Sequence, residues 1–212
     1  MKLMAKVAYV AAAMTAFAFL ARRVAGGDTI DLDARVTRVL QRNNRLWFGA
    51  LMHAVSWPGF PPQSRVIPWL LPGAMLAAGR PFQAVFQLLG WGTGAISGLV
   101  KFIVKRPRPD LADILVTPAR IGGTSFPSGH VIIYTGVYGF LAYLAHCYVK
   151  MKVLRRLIVG GLTGMIALVG PSRVYLGHHW FSDVVASYLL GTSYVTVLST
   201  IYQSLLRRRQ KD

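Results

Sequence analysis

The sequence predicts an all-α, polytopic membrane protein: one domain over residues 1–212, with six transmembrane helices and an interfacial amphipathic helix after the first. Three observations carry this. Apolar residues make up 54% of the chain and charged residues only 15%, with a mean hydropathy of +0.45. The apolar residues are gathered into long runs, which at this composition are membrane spans. A net charge of +17 would point to nucleic acid in a soluble protein, but here much of it sits beside the apolar runs, so anionic lipid headgroups are the expected neighbours and nucleic acid is not.

Each element follows from its pattern. Val7 to Ala21 is the first span, preceded by Lys2 and Lys6 and followed by Arg22 and Arg23. With no A-x-A site after it, a retained span is expected rather than a cleaved signal peptide. Its apolar run is short against the roughly 20 residues a span needs. From Asp28 to Arg45, Leu32, Val36, Val39 and Leu40 fall at helical spacing with Arg35, Arg38, Arg42 and Arg45 between them. That pattern predicts a helix lying in the headgroup plane. Leu46 to Trp57 is apolar until Pro58, Pro61 and Pro62 break it, and Val66 to Ala78 is the second span, with Pro68 and Pro72 predicting an irregular upper end.

Arg80 and Pro81 turn the chain into the third span, Phe82 to Val104, in which Gly90, Gly94 and Gly98 predict a close-packing face. Lys105 to Phe126 is a polar loop. Val131 to Val149, Leu157 to Val169 and Phe181 to Leu206 are the fourth, fifth and sixth spans, with Gly160 and Gly164 a second packing pair and the RRRQKD tail a cytoplasmic anchor. The single cysteine, Cys147, lies in an apolar run and is expected to face lipid or core.

Alternating direction puts the end of the third span, the start of the fourth, the end of the fifth and the start of the sixth on one membrane face. The dense short-flank cations Lys150, Lys152, Arg155, Arg156 and Arg207 to Arg209 place the N-terminus inside and that face outside, although Arg22 and Arg23 weigh the other way. The expected location is the inner or plasma membrane, multi-pass, with the converging ends on the outer side.

Three charged clusters meet there. KFIVKRPRPD closes the third span, with Lys101 and Arg108 separated by six residues; cations this close to the bilayer are functional by default. FPSGH opens the fourth, where Pro127 can start a helix and Ser128 and Gly129 present N–H groups to an anion, followed at once by His130. SRVYLGHHWFSD joins the fifth and sixth. If that stretch is helical, His179 and Asp183 share a face, and the carboxylate can hold one imidazole nitrogen and leave the other as a nucleophile, with Arg173 supplying positive charge. All seven acidic residues are Asp, which supplies carboxylate-bridged metal sites poorly.

K-x6-RP, PSGH and SR-x5-H-x3-D, in that order over residues 101–183, resemble the type 2 phosphatidic acid phosphatase superfamily, the lipid phosphate phosphatases. The match covers Lys101, Arg108, Pro109, Pro127, Ser128, Gly129, His130, Ser172, Arg173, His179 and Asp183. The resemblance implies a phosphohistidine on His179, oriented by Asp183, with His130 protonating the leaving oxygen. It implies that Lys101, Arg108, Ser128, Gly129 and Arg173 hold the phosphoryl oxygens, with no metal or other cofactor needed. Undecaprenyl diphosphate is the favoured substrate, with phosphatidylglycerol phosphate, phosphatidic acid and lipid A phosphate as alternatives, reached by a site open sideways to lipid.

The remaining polar residues have simpler expectations. Lys105 and Arg106 face headgroups, His178 packs locally, His53 and His146 are structural, Tyr175 and Trp180 are interface aromatics, and Asp110 and Asp113 are loop residues that offset nearby arginines. Two other functions stay open: a phosphotransferase using the same intermediate, and a lipid-binding or transport protein that kept the fold. A vanadium haloperoxidase would share the anion site, but six spans argue against it. The sequence leaves the oligomeric state open.

Overall fold

The computed structural model describes residues 3–110, 112, 114–118 and 122–210, apart from the side chain of residue 68. The expectations for Lys2, Asp113 and Lys211, and for the ring of Pro68, lie outside the described residues. Among those described there are helices and no strand: α1 (Leu3–Ala25), α2 (Ile30–Gln41), α3 (Leu46–Ser56), a single tight turn at Trp57–Gly59, α4 (Gln63–Ala77), α5 (Pro81–Leu89), α6 (Gly92–Val104), α7 (Gly129–Tyr148), α8 (Lys152–Tyr175) and α9 (Phe181–Arg209).

Five helical stretches are long and apolar enough to cross a membrane: α1, α5 with α6, α7, α8 and α9. The short apolar run predicted for α1 sits within 23 helical residues that also take in Arg22 and Arg23. The predicted second span is α4, with 15 residues. At 1.5 Å per residue it reaches about 22 Å, short of the roughly 30 Å hydrocarbon core, so length alone does not qualify it as a span. The chain nevertheless passes from Asp33, bonded to Arg106 and Ser182 at one end of the bundle, to Arg80, packed over Tyr148 at the other, between α1 and α5. Its expected irregular end is also absent, since the helix runs unbroken from Gln63 to Ala77.

The third and fourth spans deform each other where they cross. The third breaks at Gly90–Trp91 between α5 and α6, and α7 widens into a π turn at Tyr134–Tyr138. A Cβ on Gly136 would lie 2.5 Å from the Gly90 carbonyl oxygen and 2.5 Å from Thr93 Oγ1, so only glycine admits this approach. Gln87 Nε2 then donates to the Val137 carbonyl at 2.9 Å, satisfying a backbone group inside the widened turn. The predicted packing face is therefore real at Gly90. It fails at Gly98, Gly160 and Gly164, where an added Cβ would meet nothing within 4 Å. Spacing identifies a stripe but does not say whether a neighbour lies opposite.

Helix α7 is the most enclosed of the five spans. One end packs Phe140 and Leu144 against Phe86, Leu198 and Tyr202. The other packs Val131 and Tyr134 against Val169, Val174 and Val184, beneath the converging loops. Helix α1 lies along α9, where Lys6 Nζ donates to Thr200 Oγ1 at 3.1 Å. Cys147 is exposed near the far end of α7.

Candidate active site

Three chain segments build the site, each fixed by local chemistry. Helix α6 ends at Lys105, whose φ of 48° turns the backbone out of the helix. Pro107 and Pro109 then keep the chain extended. Ser125 N–H donates to the Arg106 carbonyl at 2.8 Å, and Ser125 Oγ and Trp180 Nε1 donate to the Pro107 carbonyl at 2.9 and 3.1 Å. Helix α7 begins at Gly129, with Ser128 capping it in an extended conformation.

Helix α8 runs through Pro171 to Tyr175, so Ser172 and Arg173 lie in its last turn. Ser172 Oγ is 2.6 Å from Ser56 Oγ, tying α8 to α3. Residues 176–180 form a turn, not the helix that would put His179 and Asp183 on one face. Their contact arises differently. Arg173 O accepts the N–H groups of His178 and His179 at 3.1 and 3.2 Å, folding the turn back. Asp183, in the first turn of α9, accepts Trp180 N–H on Oδ2 at 3.0 Å, as an N-terminal capping carboxylate does. The same oxygen lies 3.4 Å from His179 Nδ1.

This fixes the imidazole. With Nδ1–H toward the carboxylate, the Nε2 lone pair faces Arg108, whose Nη1 is 3.3 Å away and also donates to His178 O at 2.7 Å. Burial, followed by the positive charges of Arg173, Arg108 and Lys101, holds the His179 pKa well below the ordinary histidine value, so the ring is neutral. Arg108 is itself held below its usual value by burial, with Asp183 acting the other way.

The groups expected to hold an anion converge on the same point. Arg173 is fully buried, with its guanidinium 5.0 Å over the Phe60 ring and one bond, Nη1 to Ser56 Oγ at 3.3 Å. Its Nε and Nη2, together with Arg108 Nε, Ser128 Oγ and His130 Nε2, are buried without a protein partner among the described residues. The ring of His130 packs against Phe60 at 4.9 Å and lies within electrostatic reach of Arg173, His179 and Arg108. A Cβ on Gly59 would overlap His130 Cδ2, so a glycine is needed there to admit the imidazole. Lys101 stands at the edge, donating to the Thr124 carbonyl. Gly129 lines a cavity beside His130.

Two expectations need correction. Lys105 is exposed as foreseen, but Arg106 is buried and does not face headgroups. Its Nη1 donates to Asp183 Oδ1 and Ser182 Oγ, both at 2.7 Å, and its Nη2 to Asp33 Oδ2 at 2.6 Å and Thr29 Oγ1 at 3.0 Å. Asp33, fully buried on α2, also accepts Ser182 N–H and Ser182 Oγ–H at 2.7 Å. The amphipathic helix is thus a structural partner of the site, not only a headgroup-plane element. Trp180 is likewise no interface aromatic: it is buried, with the Arg106 guanidinium 5.4 Å over its ring. Tyr175 is half-buried, edge-on to Phe48. His178 does pack locally, its Nε2 bonded to the Thr117 carbonyl at 2.7 Å. The sequence signal for Asp33 was weak: two carboxylates, Asp31 and Asp33, open α2, and nothing in the pattern singles out the buried one.

What the arrangement can do is bind a compact anion in front of a neutral, oriented imidazole. Buried guanidinium groups that lack a carboxylate are costly unless an anion compensates them.

Known proteins share this architecture. A solved structure described as the first transmembrane PAP2 type phosphatidylglycerolphosphate phosphatase, from Bacillus subtilis, superposes with a TM-score of 0.80 at 21% identity, covering 92% of this chain and 96% of that one. Aquifex aeolicus LpxE superposes with a TM-score of 0.64 at 19% identity, over 80% of this chain and 95% of that one. In sequence, the chain is 31% identical over 134 residues to phosphatidylglycerophosphatase B of Bacillus subtilis, covering 62% of this chain and 64% of that protein. It is 29% identical over 123 residues to decaprenylphosphoryl-5-phosphoribose phosphatase of Mycobacterium tuberculosis, covering 55% of this chain and 59% of that protein. The matched region thus spans about three fifths of these relatives' lengths. The PAP2 superfamily model matches residues 83–207, which contain all three clusters, and the chain belongs to the PAP2 superfamily.

Proposed function

We propose that the protein is a lipid phosphate phosphatase that works through a phosphohistidine. The observation that carries this is the set of buried donor atoms without a protein partner among the described residues, Arg108 Nε, Ser128 Oγ and Arg173 Nε and Nη2, on three segments that meet at the neutral imidazole of His179. In the first step His179 Nε2 forms a bond to phosphorus as the bond to the leaving oxygen breaks, and that oxygen takes a proton from His130. Nδ1–H stays on Asp183 Oδ2, which stabilises the positive ring that develops. In the second step water, its proton accepted by His130, attacks phosphorus and returns His179 with inorganic phosphate. Arg108, Arg173, Lys101, Ser128 and the Gly129 N–H stabilise the charge that spreads over the equatorial oxygens. These cations supply the charge a metal ion would otherwise contribute, and the reaction needs none.

The substrate reaches this point sideways from the bilayer. A largely apolar cavity of about 280 Å³ beside His130 is lined by Gly59, Ser64, Ile67, Trp91 and Tyr134. It shares Ser64 and Trp91 with a second cavity of about 470 Å³ between α4 and α5. A leaving group protonated by His130 departs along this path with its tail among lipids. Undecaprenyl diphosphate fits that description. The similarity to phosphatidylglycerophosphatase B and to a decaprenylphosphoryl-5-phosphoribose phosphatase supports a phosphomonoester carried on a lipid headgroup at least as well. We place the site on the outer side of the inner or plasma membrane.

Phosphate release from a panel of undecaprenyl diphosphate, phosphatidylglycerol phosphate, phosphatidic acid and lipid A phosphate in detergent tests this. Activity on at least one that survives EDTA, is blocked by vanadate and falls about a thousandfold or more in His179→Ala is expected. A strict magnesium requirement, or a His179→Ala protein of full activity, overturns the mechanism. Transfer to an added lipid alcohol in place of phosphate release would identify the phosphotransferase.

A further inference from the structure

We infer that Arg65, with His53, is a specificity subsite for a second anionic group of the substrate, one lying between the lipid tail and the phosphate that is removed. The inference rests on the proposed phosphatase reading and names the class of lipid it prefers: one carrying a phosphodiester or further phosphate in addition to the scissile group.

Arg65 stands where two cavities meet. It lines the cavity between α4 and α5, next to Ser64, on the route from the bilayer to His130. It also lines a cavity of about 510 Å³ on the other side of the Trp57–Gln63 loop, with His53, Phe60, Thr117 and His178. Neither Arg65 nor His53 belongs to the groups around His179. Arg65 is exposed and makes no ion pair with a described residue, so its charge faces the cavities unneutralised.

The wall between this cavity and the reacting groups is one side chain thick. The Phe60 ring packs 4.9 Å from His130 and 6.1 Å from His178. His178 is 1% exposed, and its Nδ1 has no protein partner among the described residues. A single molecule with its scissile phosphate at His179 and its tail between α4 and α5 must pass Arg65. A lipid with no charge between tail and phosphate leaves that guanidinium without a counter-charge; a lipid with a phosphodiester there supplies one. Arg65 and His53 then act on recognition and not on the bond-breaking step: Phe60 stands between the cavity of His53 and the reacting groups, and Arg65 does not line the cavity beside His130.

The test compares phosphatidic acid, which has only the scissile phosphate, with phosphatidylglycerol phosphate, which adds a phosphodiester, in mixed micelles for wild type, Arg65→Gln, Arg65→Lys and His53→Gln. The expected result is that Arg65→Gln lowers kcat/KM on phosphatidylglycerol phosphate about fivefold, mostly through KM, with phosphatidic acid changed less than about twofold, as suits a half-solvated charge pair. Arg65→Lys should restore most of the preference, and His53→Gln should shift it in the same direction by less. Equal losses on both lipids, or no loss on either, overturn the subsite and leave the phosphatase standing. A wild-type protein that releases phosphate from neither lipid overturns the subsite, and one that also releases none from undecaprenyl diphosphate or lipid A phosphate overturns the phosphatase as well.

Discussion

Arg106 and Arg108 are two residues apart in one proline-bounded stretch, yet they do different work. Arg106 is neutralised by two carboxylates, Asp33 and Asp183, at 2.6 and 2.7 Å. Arg108 bonds to carbonyl oxygens and to His179, which leaves its charge for an anion. The spacing K-x6-RP singles out Arg108 but is silent on Arg106, whose partner Asp33 lies 73 residues away. The two histidines of the 176–180 turn have a consequence for pH. The His178 pKa is pushed down to about 4 by burial, then by Arg173, and that of His179 lies well below 6.5. Both are lower in the folded than in the unfolded chain, so the unfolded chain binds protons first as pH falls. Stability is therefore complete above about 6.5 and declines as pH drops from there toward about 4. Melting temperatures in detergent across that window should fall, and His178→Gln should flatten the slope; a melting temperature that rises on acidification would contradict the burial of these rings.

At the level of elements, the least expected is α2. Its arginine-studded sequence reads as a helix resting on headgroups, and its exposed Leu32 and Val39 agree with that. The same helix turns Asp33, Ala34 and Thr37 inward, so it also clamps the start of α9 through Asp33, Ser182 and Arg106. Periodicity could not show this, because a single buried carboxylate barely alters an amphipathic pattern. Replacing Asp33 by Asn leaves Arg106 with one carboxylate in a dry site. Breaking a buried pair from one side typically costs about 3–5 kcal/mol. An Asp33→Asn protein should melt at lower temperature and lose the proposed phosphatase activity at temperatures where wild type is folded. Unchanged thermal stability and rate would mean that the network is incidental. The Trp57–Gly59 turn offers a second case. Three prolines mark it as a break, but only the folded chain shows His130 lying where a Gly59 side chain would be. Gly59→Ala should lower activity about tenfold or more with little change in melting temperature, read by phosphate release beside a thermal melt.

For the molecule as a whole, alternation of spans predicted that four helix ends share a face, and the structure joins them there through Arg108, Ser128, Arg173 and His179. Which side of the membrane that face occupies is open to a direct measurement. In a Cys147→Ser background, Asp110→Cys should react with a membrane-impermeant maleimide in intact cells, and Lys150→Cys only after permeabilisation; the opposite pattern would put the site inside. The sequence by itself determined the helical class, most of the span positions and the residues of three motifs, because apolar run length and local charge spacing are properties of neighbours along the chain. Only the tertiary structure decided that α4 is a helix of just 15 residues, that Gly160 and Gly164 face open space, that His179 and Asp183 meet across a turn, and that Asp33 and Arg106 brace them. Each of those depends on what lies opposite a residue, and contacts between segments tens of residues apart leave no period in the sequence to read.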